Sequence, residues 1–184
     1  MPAGGNAGWG WHRLTHRWAE QLVADAGVRP GDLVLDVGAG DGALTGPLVE
    51  AGAQVVAVEL HPGRAALLRQ RFAGRPVTVV RTDARDLRLP RRRFQVVANP
   101  PYGITAPLLR RLTSPGSRLV SAHLLLQHAA ARRWAAAAVA RPGGPGSGRR
   151  RAVFETGLGR RVPRSAFRPP PAVDSTVLVV RRRH

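Results

Sequence analysis

The apolar residues of this chain fall into short, nearly continuous runs that are separated by glycine, proline and charged residues. Runs of this kind are typical of β-strands that are covered on both faces of a sheet. Seven of them are predicted as strands, at residues 33–37, 54–60, 77–81, 94–98, 118–127, 152–158 and 175–181. The pattern therefore predicts a seven-stranded sheet.

Segments with helical periodicity lie between most of these runs. The predicted helices cover about 16–27, 38–52 with a glycine-rich opening, 62–72, 104–112 and 128–140. Thr15 is a candidate N-cap for the first helix, and Pro62 fits the first turn of the third. Strands that alternate with helices indicate an α/β fold with a mainly parallel sheet, and the closeness of the last two strands predicts an antiparallel C-terminal hairpin at its edge.

The organisation of the chain indicates one folded domain. Residues 1–14 are interpreted as an irregular N-terminal segment and 15–184 as a single domain without internal repeats. Residues 141–151, RPGGPGSGRRR, are predicted to form a flexible basic loop. A length of 184 residues is sufficient for one such domain with a real core.

Composition narrows the class of protein. The chain has no cysteine, which excludes a disulfide framework, a cysteine zinc site and a thiol nucleophile. No apolar run is long enough to cross a bilayer, and the first residues lack the apolar stretch of a secretory signal. We therefore expect a cytoplasmic, monomeric protein with no membrane partner.

The charge balance predicts a polyanionic partner. The chain carries 29 basic and 11 acidic residues, a net charge of +18, and every one of the 29 is arginine. Such a charge disfavours the compact state unless a polyanion matches it, so nucleic acid is favoured over an anionic membrane surface. The runs 91–93, 149–151 and 181–183 are candidates for phosphate contacts.

Candidate ligand-binding residues follow three of the predicted strands, at the edge where a ligand of an open α/β sheet would bind. Gly38 and Gly40 lie in the turn after the first strand, and Glu59 and Asp83 end or follow the next two. Glycines let the backbone approach a ligand, and the carboxylate of Glu59 could accept hydrogen bonds from ribose hydroxyls. This pattern serves NAD and S-adenosylmethionine equally well. The role of Asp36 stays open between structural support and cofactor contact.

The fourth strand stops abruptly at Asn99-Pro100-Pro101-Tyr102. Consecutive prolines cannot continue a strand, so the Pro100 carbonyl is expected to face a pocket without a ladder partner. This carbonyl and the Asn99 side-chain oxygen form two acceptors for a planar amino group, and Tyr102 can stack on the base that carries it. The arrangement is suited to methyl transfer to an exocyclic amine.

These motifs resemble those of a known family. The stretches LDVGAGDGALT, VVAVEL, TDARDL, VVANPPYGI and VPRSAFRPPPAVDSTVLVV are similar to those of the ribosomal RNA adenine N6-methyltransferases, and most similar to erythromycin-resistance 23S rRNA methyltransferases. The resemblance implies a Rossmann-like class I methyltransferase fold, S-adenosylmethionine as cofactor and 23S rRNA as the favoured partner. It also implies resistance to macrolide-type antibiotics.

The same resemblance assigns roles to residues. It implies cofactor binding by Leu14, Gly38, Gly40, Glu59, Asp83 and Asn99. It implies that Asn99, Pro100 and Tyr102 engage the target adenine and that Phe167 is a second aromatic ring against the flipped base. The family's usual Gln-Asn-Phe-Leu-like segment is replaced here by Trp11-His12-Arg13-Leu14, which puts one cofactor contact in doubt.

Several alternatives stay open at this point. Family members usually continue into a helical C-terminal domain, whereas this sequence stops at RRRH, so RNA binding is expected to depend on charge more than on shape. A small-subunit rRNA, another nucleic acid or a glutamine side chain could be the methyl acceptor. A noncatalytic RNA-binding assembly factor is the alternative outside enzymes. His12 and His16 have helical spacing, but no carboxylate is expected to complete a metal set, so no metal is predicted.

Overall fold

The computed structural model of the chain describes residues 12–139 and 153–183. Its strands are β1 (Arg13–Leu14), β2 (Leu33–Val37), β3 (Gln54–Val58), β4 (Val77–Val80), β5 (Phe94–Ala98), β6 (Leu119–Gln127), β7 (Phe154–Val162), β8 (Phe167–Arg168) and β9 (Ser175–Arg182). Its α-helices are α1 (His16–Ala26), α2 (Thr45–Glu50), α3 (Pro62–Arg71), α4 (Thr105–Leu112) and α5 (His128–Val139).

Seven of the strands form one sheet in the order β4-β3-β2-β5-β6-β9-β7. Strands β2 to β6 are parallel, whereas β9 lies antiparallel between β6 and β7. The predicted sheet and its antiparallel C-terminal hairpin are confirmed, with the last strand inserted inside the sheet and β7 at the edge. The order reverses between β2 and β5, which is where open α/β sheets bind their ligands.

The sheet has a core on each face, which explains the continuous apolar runs. All five residues of β2 are buried. Helices α1 and α2 contribute Leu22 and Leu48 to one core, and α4 and α5 contribute Leu108 and Ala131 to the other. No helix among the described residues is long and apolar enough to span a membrane.

Helix α2 begins later than the sequence predicts. The prediction opened the helix at residues 38–42, but the first helical residue is Thr45. The glycines of this segment adopt positive φ angles, +77° at Gly38, +60° at Gly40 and +87° at Gly42. Left-handed residues cannot continue a right-handed helix, so the segment forms a turn that ends before the helix. The free N–H groups of a helix start are therefore not provided by these glycines.

The last two residues of the predicted N-terminal segment form a short strand. Arg13 and Leu14, predicted as irregular, form β1 and pair antiparallel with Arg168 and Phe167 of β8. Leu14 is 2% exposed and packs in the core that includes α1. Thr15 occupies the N-cap position of α1, but its side chain makes no capping hydrogen bond, so that part of the prediction is wrong.

Two of the three arginine runs, 91–93 and 181–183, lie at the amino edge of the sheet. Residues 91–93 directly precede β5, and 181–183 lie at the end of β9, beside the start of β6. Arg182 donates to the main-chain oxygen atoms of Leu119 and Ser117, which ties part of this run to the fold. The run 149–151 lies outside the described residues, so its expected phosphate contacts stay a prediction.

Candidate active site

Four predicted site residues follow four neighbouring parallel strands. Gly38 follows β2, Glu59 follows β3, Asp83 comes after β4, and Asn99 follows β5. Because parallel strands end at the same side of a sheet, the fold gathers these residues along its carboxyl edge. Gly38 and Asn99 stand at the point where the strand order reverses.

Gly38 brings the glycine turn against the proline turn. Its φ angle is +77°, and a Cβ added there would lie 2.9 Å from Cδ of Pro101 and 3.6 Å from Cα of Pro100. Its N–H donates to the Val58 main-chain oxygen at 2.8 Å. A side chain at this position would therefore push the two turns apart, which explains the requirement for glycine.

Glu59 ties the glycine turn to the end of β3. The Gly40 N–H donates to Oε2 at 2.8 Å, and the His61 N–H donates to Oε1 at 2.8 Å. The side chain is 6% exposed. The carboxylate therefore positions the loop, and each of its oxygens keeps a further lone pair.

Asp36 is a buried carboxyl beneath the same turn. It is 1% exposed and accepts a hydrogen bond from Thr45 Oγ1 at 2.7 Å. Burial raises the pKa of Asp36 to about 7, with a further contribution from the nearby Glu59 carboxylate, while the Thr45 bond lowers it. A hydrogen bond to the first residue of α2 shows a structural role, and Asp36 also lines the pocket described below.

The Asn99 side chain is oriented by β1. Its Nδ2 donates to the His12 main-chain oxygen at 3.0 Å. The His12 ring Nδ1 in turn lies 2.9 Å from the Pro169 main-chain oxygen, to which it can donate. Among the described residues Oδ1 of Asn99 has no hydrogen-bond partner. The amide is thus held with its oxygen available as an acceptor.

The proline turn supplies the second predicted acceptor. Pro100 is buried, and its carbonyl accepts no hydrogen bond within ranges 12–139 and 153–183. The Pro101 carbonyl accepts from the Ile104 N–H at 3.1 Å, which closes a short 3₁₀ turn over Tyr102–Ile104. The Tyr102 side chain lies outside what the structure describes, so its stacking role stays a prediction.

A small pocket lies between β1 and the glycine turn. It is lined by Arg13, Leu14, Asp36, Gly38, Asp41 and Asn99, among others. The space within it is about 30 Å³, room for about one water molecule. Arg13 and Asp41 form an ion pair at this pocket, and Oδ1 of Asp41 is buried without a partner among the described residues. The ion pair therefore forms part of the wall of this pocket.

Asp83 stands further along the same edge. Its Oδ1 accepts from the Arg85 N–H at 2.8 Å, and its side chain is 29% exposed. The second oxygen lies 3.7 Å from the Arg85 guanidinium. These contacts organise the turn after β4, and the expected contact of Asp83 with the cofactor stays a prediction.

Phe167, which the resemblance places against the flipped base, is buried in this structure. It is 2% exposed and packs in the same core as Leu14 and Ala166. Its backbone pairs with Leu14, next to the segment that orients Asn99. The ring therefore contributes to this core, and its stacking role stays a prediction.

Two features of the site had no signal in the sequence. The His12 carbonyl is a backbone group, and the Arg13–Asp41 ion pair joins distant segments. A third feature, the Thr45 hydroxyl that bonds to Asp36, had one hint, because Thr45 belongs to the helix predicted directly after that strand.

One group of possible metal ligands occurs among the described residues. Glu20 and Glu50 lie close to His16, contrary to the expectation that no carboxylate would do so. All three side chains are exposed, and exposed acidic groups are common without an ion. The expectation of no metal stays a prediction.

Comparisons with known proteins agree with this geometry. The sequence profile of the family described as ribosomal RNA adenine dimethylase matches residues 15–184. An rRNA adenine N-6-methyltransferase of Corynebacterium diphtheriae is 37% identical over 154 residues, covering 81% of this chain and 57% of the relative. A ribosomal RNA small subunit methyltransferase A of Thermosynechococcus vestitus is 38% identical over 167 residues, covering 88% and 63%.

A solved structure shows the same architecture. The 23S rRNA methyltransferase ErmE matches with a TM-score of 0.77 and 29% identity, over 92% of this chain and 68% of that one. The chain thus spans 57% and 63% of the lengths of the two curated relatives.

Proposed function

The chain belongs to the ribosomal RNA adenine dimethylase family, and on that premise we propose that it methylates N6 of an adenine in ribosomal RNA. The expected Rossmann-like fold of class I S-adenosylmethionine-dependent methyltransferases is confirmed by the likeness to ErmE. S-adenosylmethionine is the cofactor of this family and fold, which decides between the two cofactors that the glycine pattern alone allowed.

The residues at the carboxyl edge fit this cofactor. The missing Cβ of Gly38 permits close backbone approach, and the free lone pairs of Glu59 suit ribose hydroxyls. We expect Leu14, Gly38, Gly40, Glu59 and Asn99 to hold the cofactor, with Asp83 toward its base. Arg13 and Asp41, whose ion pair lies at this pocket, would stand beside the bound cofactor. When bound, the cofactor supplies an electrophilic methyl group on a sulfonium.

The observation that carries the proposal is the restraint on Asn99. The His12 carbonyl holds Nδ2, so Oδ1 is presented as an acceptor beside the unpartnered Pro100 carbonyl. These two oxygens can accept both N–H bonds of an adenine amino group and draw its lone pair out of conjugation with the ring. The amine then becomes nucleophilic without a strong base, and alignment with the methyl donor is sufficient for in-line transfer.

We further propose 23S rRNA as the substrate and resistance to macrolide-type antibiotics as the result. The likeness to ErmE, whose name specifies 23S rRNA, supports this choice. Small-subunit rRNA is the second candidate, because the Thermosynechococcus vestitus relative is named for that subunit. Both candidate substrates are consistent with the cytoplasmic location that we propose.

The proposal is tested by analysing rRNA from cells with and without the gene. The 16S and 23S rRNA are separated, digested to nucleosides and analysed by mass spectrometry. We expect gene-dependent N6-methylated adenosine in 23S rRNA. Gene-dependent N6-methylated adenosine in 16S rRNA alone would favour the small-subunit candidate. An unchanged level of this nucleoside in both RNAs would favour a noncatalytic RNA-binding protein.

A further inference from the structure

A second groove lies away from the carboxyl edge. Helix α1 packs against β5 and β6, and beyond it the groove opens over β9 and the edge strand β7. Its volume is about 340 Å³, within the range of small-ligand sites. The groove is lined by Leu22, Asp25, His123, Arg160, Val179 and Arg181, among others.

The groove has an unpartnered buried imidazole in its wall. His123 is 3% exposed, and its Nδ1 is buried without a hydrogen-bond partner among the described residues. Burial lowers the pKa of His123 to about 4, so the ring is neutral at pH 7. A neutral imidazole offers one N–H donor and one acceptor. A ligand with a polar edge would supply a hydrogen-bond partner to this ring.

The rest of the groove separates apolar from charged surface. Leu22 is 1% exposed and, with Val179, provides an apolar wall. Arg160, at an irregularity of β7, makes a two-bond ion pair with Asp25 and so neutralises that carboxylate. The side chain of Arg181 is exposed at the rim and makes no ion pair or hydrogen bond among residues that the structure describes. One cation is therefore available above an apolar and hydrogen-bonding surface.

We propose that this groove binds one unpaired nucleotide of an RNA, separate from the adenine that reaches Asn99. The base packs against Leu22 and Val179 with its polar edge on His123, and the phosphate lies on Arg181. The choice of RNA rests on the proposed function and agrees with the net charge of +18. Because α1 rises 1.5 Å per residue, the groove near its last turn is roughly 10–15 Å from the carboxyl edge.

The site can be tested with a mononucleotide. NMR of the whole chain, saturated with S-adenosylhomocysteine to fill the cofactor pocket, follows the His123 ring signal during titration with adenosine monophosphate. Adenosine and inorganic phosphate are separate arms. We expect the monophosphate to shift the His123 signal and to bind more tightly than either part.

Arg181→Ala is the decisive variant, with Arg118→Ala as the matched control at another exposed arginine of the amino edge. Loss of a charged hydrogen bond predicts that Arg181→Ala weakens binding of the monophosphate about tenfold or more, with no change for Arg118→Ala. The proposal is overturned if the His123 signal does not respond, if phosphate alone binds equally well, or if Arg181→Ala binds like the unmodified chain.

Methylation assays separate this proposal from the proposed function. If rRNA is methylated, Arg181→Ala should raise the KM for rRNA with kcat unchanged, and an unchanged KM would remove the groove from RNA binding. If no rRNA is methylated but the monophosphate still shifts His123, the proposed function fails and the nucleotide site remains.

Discussion

At the scale of single residues, one hydrogen bond decides which atom of Asn99 is available. Its Nδ2 is committed to the His12 carbonyl, so Oδ1 is the acceptor that remains. Both the partner and the segment that carries it are fixed in turn, because Leu14 of β1 is buried and paired with Phe167. The proposed methyl transfer therefore depends on a preorganised amide rather than on a titrating base.

Asn99→Ala removes this acceptor. We expect methyl transfer to rRNA to fall by about 100-fold or more, by analogy with the loss of one oxyanion-hole donor. The thermal unfolding midpoint should stay close to that of the unmodified chain, since Asn99 is only half-buried. Gln95→Ala, an amide at the opposite end of β5, is the matched control and should keep its activity. Near-normal turnover of Asn99→Ala would show that the site is assigned wrongly.

Asp36 predicts an unusual pH dependence of stability. Its pKa is raised to about 7 in the folded chain, from an ordinary value near 4. Between these values the folded state binds more protons than the unfolded state, so the Asp36 contribution to the free energy of unfolding falls as pH rises from about 4 to 7. Below and above this window the contribution is constant.

Asp36→Asn cannot titrate and keeps an acceptor for Thr45. Relative to the unmodified chain, its free energy of unfolding should therefore increase with pH across this window, on the order of 1 kcal/mol per pH unit. Urea denaturation at pH 5, 6, 7 and 8 measures the difference. A difference that does not change with pH would contradict the raised pKa.

At the scale of elements, the site depends on contact between two turns that follow β2 and β5. Gly38→Ala places a Cβ 2.9 Å from Pro101 on a residue with φ of +77°. We expect a loss of roughly 1–3 kcal/mol in the free energy of unfolding, and weaker S-adenosylhomocysteine binding. Gly46→Ala is the control, because it lies in α2 with no atom within 4 Å of an added Cβ. It should stabilise by about 0.5–1 kcal/mol, and equal effects of the two variants in urea denaturation would contradict this account.

Glu59 links the end of β3 to the glycine turn. Glu59→Gln replaces one carboxylate oxygen with an NH₂ group, which opposes the N–H of Gly40 or His61. We expect S-adenosylhomocysteine binding to weaken by about tenfold or more in calorimetric titration. NAD should not bind detectably to either chain. Tight NAD binding by the unmodified chain would instead indicate a dehydrogenase.

The sequence predicted the elements whose pattern is local. The strands from β2 to β6 are continuous apolar runs, so their positions follow from composition and turn residues alone. Strand β1 has two residues, and its pairing with β8 depends on a partner more than 150 positions away, a distance that no local pattern can report. The late start of α2 follows from positive φ angles, which glycine permits but does not require.

The residues of the candidate site also divide into those with a local signal in the sequence and those without one. Glu59, Asp83 and Asn99 follow strand ends and were predictable, because the carboxyl edge of a parallel sheet is a known location for ligands. The burial of Phe167 was not predictable, since an aromatic residue in a proline-rich segment suits either a core or a stacking role. Tertiary packing, which places the ring in the core, is not visible in a local pattern.

At the scale of the whole molecule, the candidate active site and two of the arginine runs lie at opposite edges of the sheet. Asn99 follows β5, whereas residues 91–93 precede it, and five residues of strand separate the two edges by roughly 17 Å. An RNA that contacts both edges has to pass along a face of the sheet. The groove beside α1 lies on such a face, so a nucleotide bound there would connect the two regions.

The most direct test of the central claim is methyl transfer by the purified chain. Unmodified ribosomal RNA is incubated with methyl-labelled S-adenosylmethionine, digested to nucleosides and analysed by mass spectrometry, with Asn99→Ala in parallel. The account predicts label on N6 of adenosine for the unmodified chain and about 100-fold less for Asn99→Ala. Absence of labelled adenosine from a chain that binds S-adenosylhomocysteine, or equal labelling by the two chains, would contradict it.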